Sequence, residues 1–102
     1  MEMYRLDDAP SSASFSEAEL GGLCRALGNP VRVQMMRLLM DKGSLICREM
    51  VDALPLAQST VSQHLKVLKE ADLVVGEPDG PRRSYRINPR QLDRFKHLVH
   101  SF

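Results

Sequence analysis

The sequence predicts a mainly α domain of the α+β class, with about five helices and a two-stranded β-hairpin, on three observations. Apolar residues recur at helical spacing in several separate stretches, each bounded by Gly, Pro or Asn. Two of these stretches are joined by the short break Pro55-Leu56-Ala57, and the second runs from Gln58 to Ala71. Directly after it, Leu73–Glu77 and Arg82–Ile87 flank Pro78-Asp79-Gly80-Pro81, which reads as strand, turn, strand.

Taken in order, residues 1–15 are expected to form a flexible leader, because Ala-Pro-Ser-Ser-Ala-Ser is small, polar and without periodicity. One domain is expected over 16–102. Ser16 followed by Glu19 reads as a capping box opening the first helix. Leu20, Leu23, Cys24 and Leu27 then share a face. Gly21 and Gly22 weaken this helix and suggest close approach of another backbone. Asn29 and Pro30 suit the cap and first position of a second helix, which Gly43 closes. That helix is apolar on more than one face (Val31, Val33, Met35, Met36, Leu38, Leu39, Met40), so it is expected at the centre of the core, with its methionines filling gaps.

Ser44-Leu45-Ile46 reads as a short extended piece. A third helix is expected from about Cys47 to Leu54 and a fourth from Gln58 to Asp72. In the second strand of the hairpin, Tyr85 and Ile87 should face inward and leave a basic outer edge. Asn88-Pro89 starts a last helix with a broad apolar stripe of Leu92, Phe95, Leu98, Val99 and Phe102.

Composition narrows the function. No apolar run is long enough to span a membrane. The beginning Met-Glu-Met-Tyr-Arg-Leu-Asp-Asp lacks the apolar stretch of a secretory signal. The two cysteines, Cys24 and Cys47, make no disulfide framework, so a reducing cytoplasm is the expected location. Both thiols are expected to be buried and structural, with a redox or metalloid-ligand role as the alternative. The net charge of +1 conceals an asymmetry: residues 1–20 carry five acidic side chains against one basic, so the rest of the chain is basic. That favours a polyanionic partner.

The fourth helix carries the chemistry. Opposite Val61, Leu65 and Leu68 it presents Ser59, Thr60, Ser62, Gln63 and Lys66, which are short hydroxyls, an amide and an amine. Such groups fit closely against base edges and phosphates in a DNA major groove. His64 lies on the flank and suits positioning. Lys69, Arg82, Arg83 and Arg86 add cations for the phosphate backbone or minor groove. Two helices joined by a tight turn and followed by a basic hairpin make a winged helix-turn-helix.

From Leu27 to Val99 the chain resembles the ArsR/SmtB family of bacterial winged-helix repressors. Leu27-Gly28-Asn29-Pro30-Val31-Arg32 is similar to that family's entry into its second helix. The run from Gln58 to Leu68 resembles its recognition helix, and Gly80-Pro81-Arg82-Arg83-Ser84-Tyr85 its wing. The resemblance implies a homodimer built by the first and last helices. It also implies binding to a double-stranded DNA operator, and release by an inducer that these residues do not identify. Asp72 stands where the family usually has Gly, at a position that wants a left-handed backbone. The Cys-x-Cys pair of arsenic- and cadmium-sensing members falls on Ile46 and Arg48, with Cys47 between them. The family's other metal site would need a pair where Ser84 and Arg86 stand, so His97 and His100 are expected to be solvated or at the dimer rim, and no metal or cofactor is expected.

The competing function is a winged-helix module that docks protein and has no operator of its own. Such a surface would be expected to carry aromatic anchors, whereas this one offers small polar and basic groups. An enzyme is disfavoured, since the chain has no phosphate-cradling Gly-rich loop, no Gly-x-Ser-x-Gly and no His-Glu-x-x-His.

Overall fold

The computed structural model describes residues 15–102. The leader, apart from Phe15, lies outside the described residues. Five helices and three strands follow in the order α1 (Glu17–Leu27), α2 (Pro30–Lys42), β1 (Leu45–Ile46), α3 (Cys47–Ala53), α4 (Gln58–Glu70), β2 (Val74–Asp79), β3 (Arg82–Ile87) and α5 (Pro89–Ser101). The helix-turn-helix is α3–α4 and the wing is β2–β3, as the sequence predicts.

Local chemistry sets the boundaries. The Ser16 hydroxyl accepts from the Glu19 backbone N–H at 3.1 Å, which satisfies one orphan donor of α1. The reciprocal half of the capping box is not made, because the Glu19 carboxylate turns to Arg94 on α5 instead. Asn29 Oδ1 accepts from the N–H groups of Val31 and Arg32 and starts α2 behind Pro30. Gly43, at φ 84°, donates its N–H to the Leu39 carbonyl and ends α2. The fourth helix stops two residues earlier than predicted, at Glu70, because Asp72 takes a left-handed φ of 61°. Asn88 Nδ2 donates to the Asp72 carbonyl at 2.9 Å and holds that turn.

The core contains Leu23 and Ala26 of α1, Met35, Met36 and Leu39 of α2, Met50 of α3, the Val61–Leu65–Leu68 face of α4, Leu73, and Leu98 of α5. Three methionines fill it, as expected. Val33 and Met40 do not: they are 41% and 56% exposed, so α2 buries one face rather than several. At Gly21 and Gly22 nothing among the described residues comes within 4 Å of the space a Cβ would occupy, so the predicted close approach is not made by them.

The extended piece Leu45-Ile46 is a third strand. It pairs antiparallel with β3, Leu45 opposite Tyr85 and Ile46 opposite Ser84, and gives the sheet order β1-β3-β2. In the hairpin, Gly76 faces Tyr85 and Asp79 faces Arg82. The connection is therefore only Gly80-Pro81, with Gly80 at φ 60°. Glycine first in a two-residue loop is the order of a type II′ turn, whose twist matches the strands. Pro78, predicted in the turn, lies within β2. The sheet fastens the wing directly to the start of α3, since Cys47 follows β1 without a linker.

Candidate nucleic-acid interface

Burying Val61, Leu65 and Leu68 leaves Ser59, Ser62, Gln63 and Lys66 exposed along the opposite side of α4, with Lys69 one turn further on. Thr60 and His64 are half-buried on the flank nearer α1 and α2, while Ser62 and Lys69 lean toward the wing. An open groove of about 390 Å³ separates helix from wing, lined by Ser62, Leu65, Lys66, Lys69, Glu70 and Tyr85. Lys66 and Lys69 therefore stand in this groove beside the Ser62 hydroxyl, together with the Glu70 carboxylate.

The wing distinguishes its three arginines. Arg82 and Arg83 are exposed near the tip, and Arg83 Nη2 makes one long contact, 3.4 Å, to the Gly76 carbonyl. Arg86 is engaged: its Nε donates to Glu77 Oε1 at 2.6 Å, and Nη1 reaches the Ile87 carbonyl. Glu77 thus neutralises the cation at the base of the wing, a pairing that strand alternation alone does not reveal. Tyr85 and Ile87 pack against the core as predicted. The Lys69 ammonium lies 5.8 Å from the Tyr85 ring centroid, within cation–π range. Gly76 permits this packing, because a Cβ there would stand 3.0 Å from Tyr85 Cε1 and 3.2 Å from Arg83 Nε.

One contributor that sequence reasoning passed over is Arg32, visible there only as the last residue of the run Leu27–Arg32. Its Nε donates to the Ala26 carbonyl at 2.6 Å and its Nη2 to the Arg25 carbonyl at 3.2 Å, at the end of α1. Its Nη1 lies 3.3 Å from His64 Nδ1. The clue in the sequence is a five-donor side chain in the first turn of α2, next to the unpaired carbonyls of the preceding helix.

The cysteines depart from expectation. Cys24 is exposed, because the buried face of α1 centres on Leu23 and Ala26 and turns the next residue outward. Cys47 is half-buried, with Sγ 3.8 Å from Ser62 Oγ on α4. His97 and His100 are exposed. Among the described residues no three His, Cys, Asp or Glu side chains cluster as metal ligands.

The family model described as bacterial regulatory protein, arsR family, matches residues 29–75, from the cap of α2 to the start of the wing. The HTH-type transcriptional repressor SmtB of Mycobacterium tuberculosis is 43% identical over 72 residues, covering 71% of this chain and 53% of that protein. The chain thus spans about half the length of that relative. The arsenical resistance operon repressor of Staphylococcus xylosus is 30% identical over 78 residues, 76% of this chain and 74% of that one. The chain belongs to the ArsR family. Among solved structures, this ArsR-family chain is similar to a winged helix-turn-helix DNA-binding domain from Mycobacterium bovis, itself described as homodimeric. The TM-score is 0.69, with 28% identity over 81% of this chain and 76% of that one.

Proposed function

We propose that this protein is a transcriptional repressor that binds a roughly palindromic DNA operator as a homodimer and is released by an inducer. One observation carries the reading: the exposed side of α4 offers small hydroxyls, an amide and two lysines, and the wing that follows exposes Arg82 and Arg83. Ser59, Ser62, Gln63 and Lys66 enter the major groove, with Thr60 at its edge beside His64. Lys69, Arg82 and Arg83 hold phosphates, His64 positions the helix, and Arg86 contributes less because Glu77 pairs with it. The reading needs no metal, no cofactor and no catalytic residue.

Dimerisation through α1 and α5 is supported by what those helices leave uncovered. Val99 is 49% exposed and Phe102 93% exposed, and the Phe102 ring stacks on Phe15 with centroids 6.3 Å apart. These rings and Val99 make an apolar end surface that a second copy would cover. A cytoplasmic location fits a DNA-binding role, and among the described residues no helix is long and apolar enough to cross a membrane.

The deciding experiment measures duplex DNA binding by the wild type and by a Lys66→Ala, Arg82→Ala, Arg83→Ala triple variant. A large loss with a shallower salt dependence is expected. Unchanged binding would end the DNA reading and favour a protein-docking module.

A further inference from the structure

His64 is in a constrained chemical state. Arg32 carries only donors, so the 3.3 Å contact between its Nη1 and His64 Nδ1 requires Nδ1 to accept. That is the bonding pattern of the Nε2–H tautomer. No buried side-chain nitrogen or oxygen among the described residues lacks a partner. Among the described residues the Arg32 contact is the one hydrogen bond of the His64 ring, so Nε2 is not fully enclosed. The result is a single N–H donor aimed away from Arg32, polarised from behind by a guanidinium.

We propose that Arg32 is a positioning residue for DNA binding: by holding His64 as the Nε2–H tautomer, it makes this ring an anchor for a backbone phosphate. The inference rests on the DNA reading above. Placement favours phosphate over base. His64 lies on the α1–α2 flank of α4, away from Ser59, Gln63 and Lys66, where the sugar-phosphate strand borders a groove-seated helix. A neutral donor backed by a fixed cation suits an anionic oxygen. Because Arg32 also grips the Ala26 and Arg25 carbonyls, the anchor is referenced to the end of α1 and does not move with the ring alone.

The test separates the two ring nitrogens. Asparagine places its amide near Nδ1 and glutamine near Nε2. On a random-sequence duplex, His64→Gln should bind within about twofold of wild type, and His64→Asn should lose about tenfold. The same ratio should hold on any other duplex, because phosphate carries no sequence information. Ring nitrogen NMR shifts at about pH 8, above the ordinary histidine range, should report a protonated Nε2 and an unprotonated Nδ1. Arg32→Gln should erase that preference, and should weaken binding in the wild type but much less in His64→Asn. A merely structural Arg32 would leave the tautomer and the Asn–Gln difference unmoved. Equal binding by the Asn and Gln variants, or a proton found on Nδ1, overturns the proposal. Those results leave the DNA reading standing as long as the Lys66, Arg82, Arg83 triple variant loses affinity; if the triple variant binds unchanged, both fall.

Discussion

Glu19 and Arg94 meet through both carboxylate oxygens at 2.8 Å, although 75 residues separate them. Two parallel N–H···O bonds make this a bidentate pair, the strongest ion-pair geometry a protein surface offers. It ties α1 to α5, the helix that carries the exposed Val99 and leads into the exposed Phe102.

That pair gives a pH prediction. The hydrogen bond from Arg94 holds the Glu19 carboxyl below its ordinary value of 4.5, against the opposing effect of burial. A depressed folded-state pKa stabilises the protein above the unfolded value and ceases to do so as pH falls through the folded one. Glu19→Gln should therefore cost about 0.5–1 kcal/mol near neutral pH, a modest figure because the Glu19 side chain is 34% exposed and solvent screens it. The difference between wild type and variant should vanish below the folded pKa. Urea titrations at a neutral and a strongly acidic pH check this; an equal difference at both would remove the pair from the account.

The wing predicts an asymmetric arginine scan. Arg82→Ala should reduce the slope of log affinity against log salt by about one. Arg86→Ala should change it less, since Glu77 already neutralises that cation. Glu77→Gln should release Arg86 and tighten DNA binding. Fluorescence anisotropy at several salt concentrations reads all three, and a Glu77→Gln variant that binds no better than wild type would show the pair to be irrelevant.

The dimer is best probed at surface positions. Val99→Asp or Phe102→Asp should yield a folded monomer, because both side chains are largely outside the subunit core. Leu98→Asp should instead unfold the chain, because Leu98 is fully buried. Sedimentation velocity with circular dichroism distinguishes the outcomes. A folded dimer in Phe102→Asp and Val99→Asp alike would move the interface elsewhere.

Two backbone positions predict opposite signs. Gly76→Ala should destabilise by about 1–3 kcal/mol by driving a methyl against the Tyr85 ring. Asp72→Gly should stabilise by about 1 kcal/mol, because φ 61° costs a side chain what it does not cost glycine. Thermal denaturation measures both; a stabilised Gly76→Ala would mean that the ring yields freely.

The parts of this molecule that were legible in its sequence are those decided within a few residues. The Asn29-Pro30 start and the Gly43 stop follow from short-range hydrogen bonding and sterics, whereas the left-handed turn at Asp72, expected from the family resemblance, is held by Asn88 from 16 residues away. The polar side of α4 was legible because Val61, Leu65 and Leu68 fix its rotation. What was hidden depends on distant partners. Leu45 becomes a strand residue only when Tyr85 arrives beside it. Met40 and Val33 look like core until α2 is docked, because an all-round apolar helix carries no phase information. The link from Arg32 to His64 joins side chains with no sequence relation to each other.

The position of Pro78 has a consequence for how the protein survives at high local concentration. A two-residue turn makes Asp79 and Arg82 the hydrogen-bonded pair, so Pro78 and Arg83 form the next, non-bonded pair. The Pro78 nitrogen therefore faces the free margin of β2, where any other residue would offer an N–H to a passing strand. β1 covers β3 only at Ser84 and Tyr85, and among the described residues the outer margin of six-residue β2 is the longest continuous open border of the sheet. Proline there removes one backbone donor from that border and so weakens it as a template for a foreign strand, the wing of another copy included.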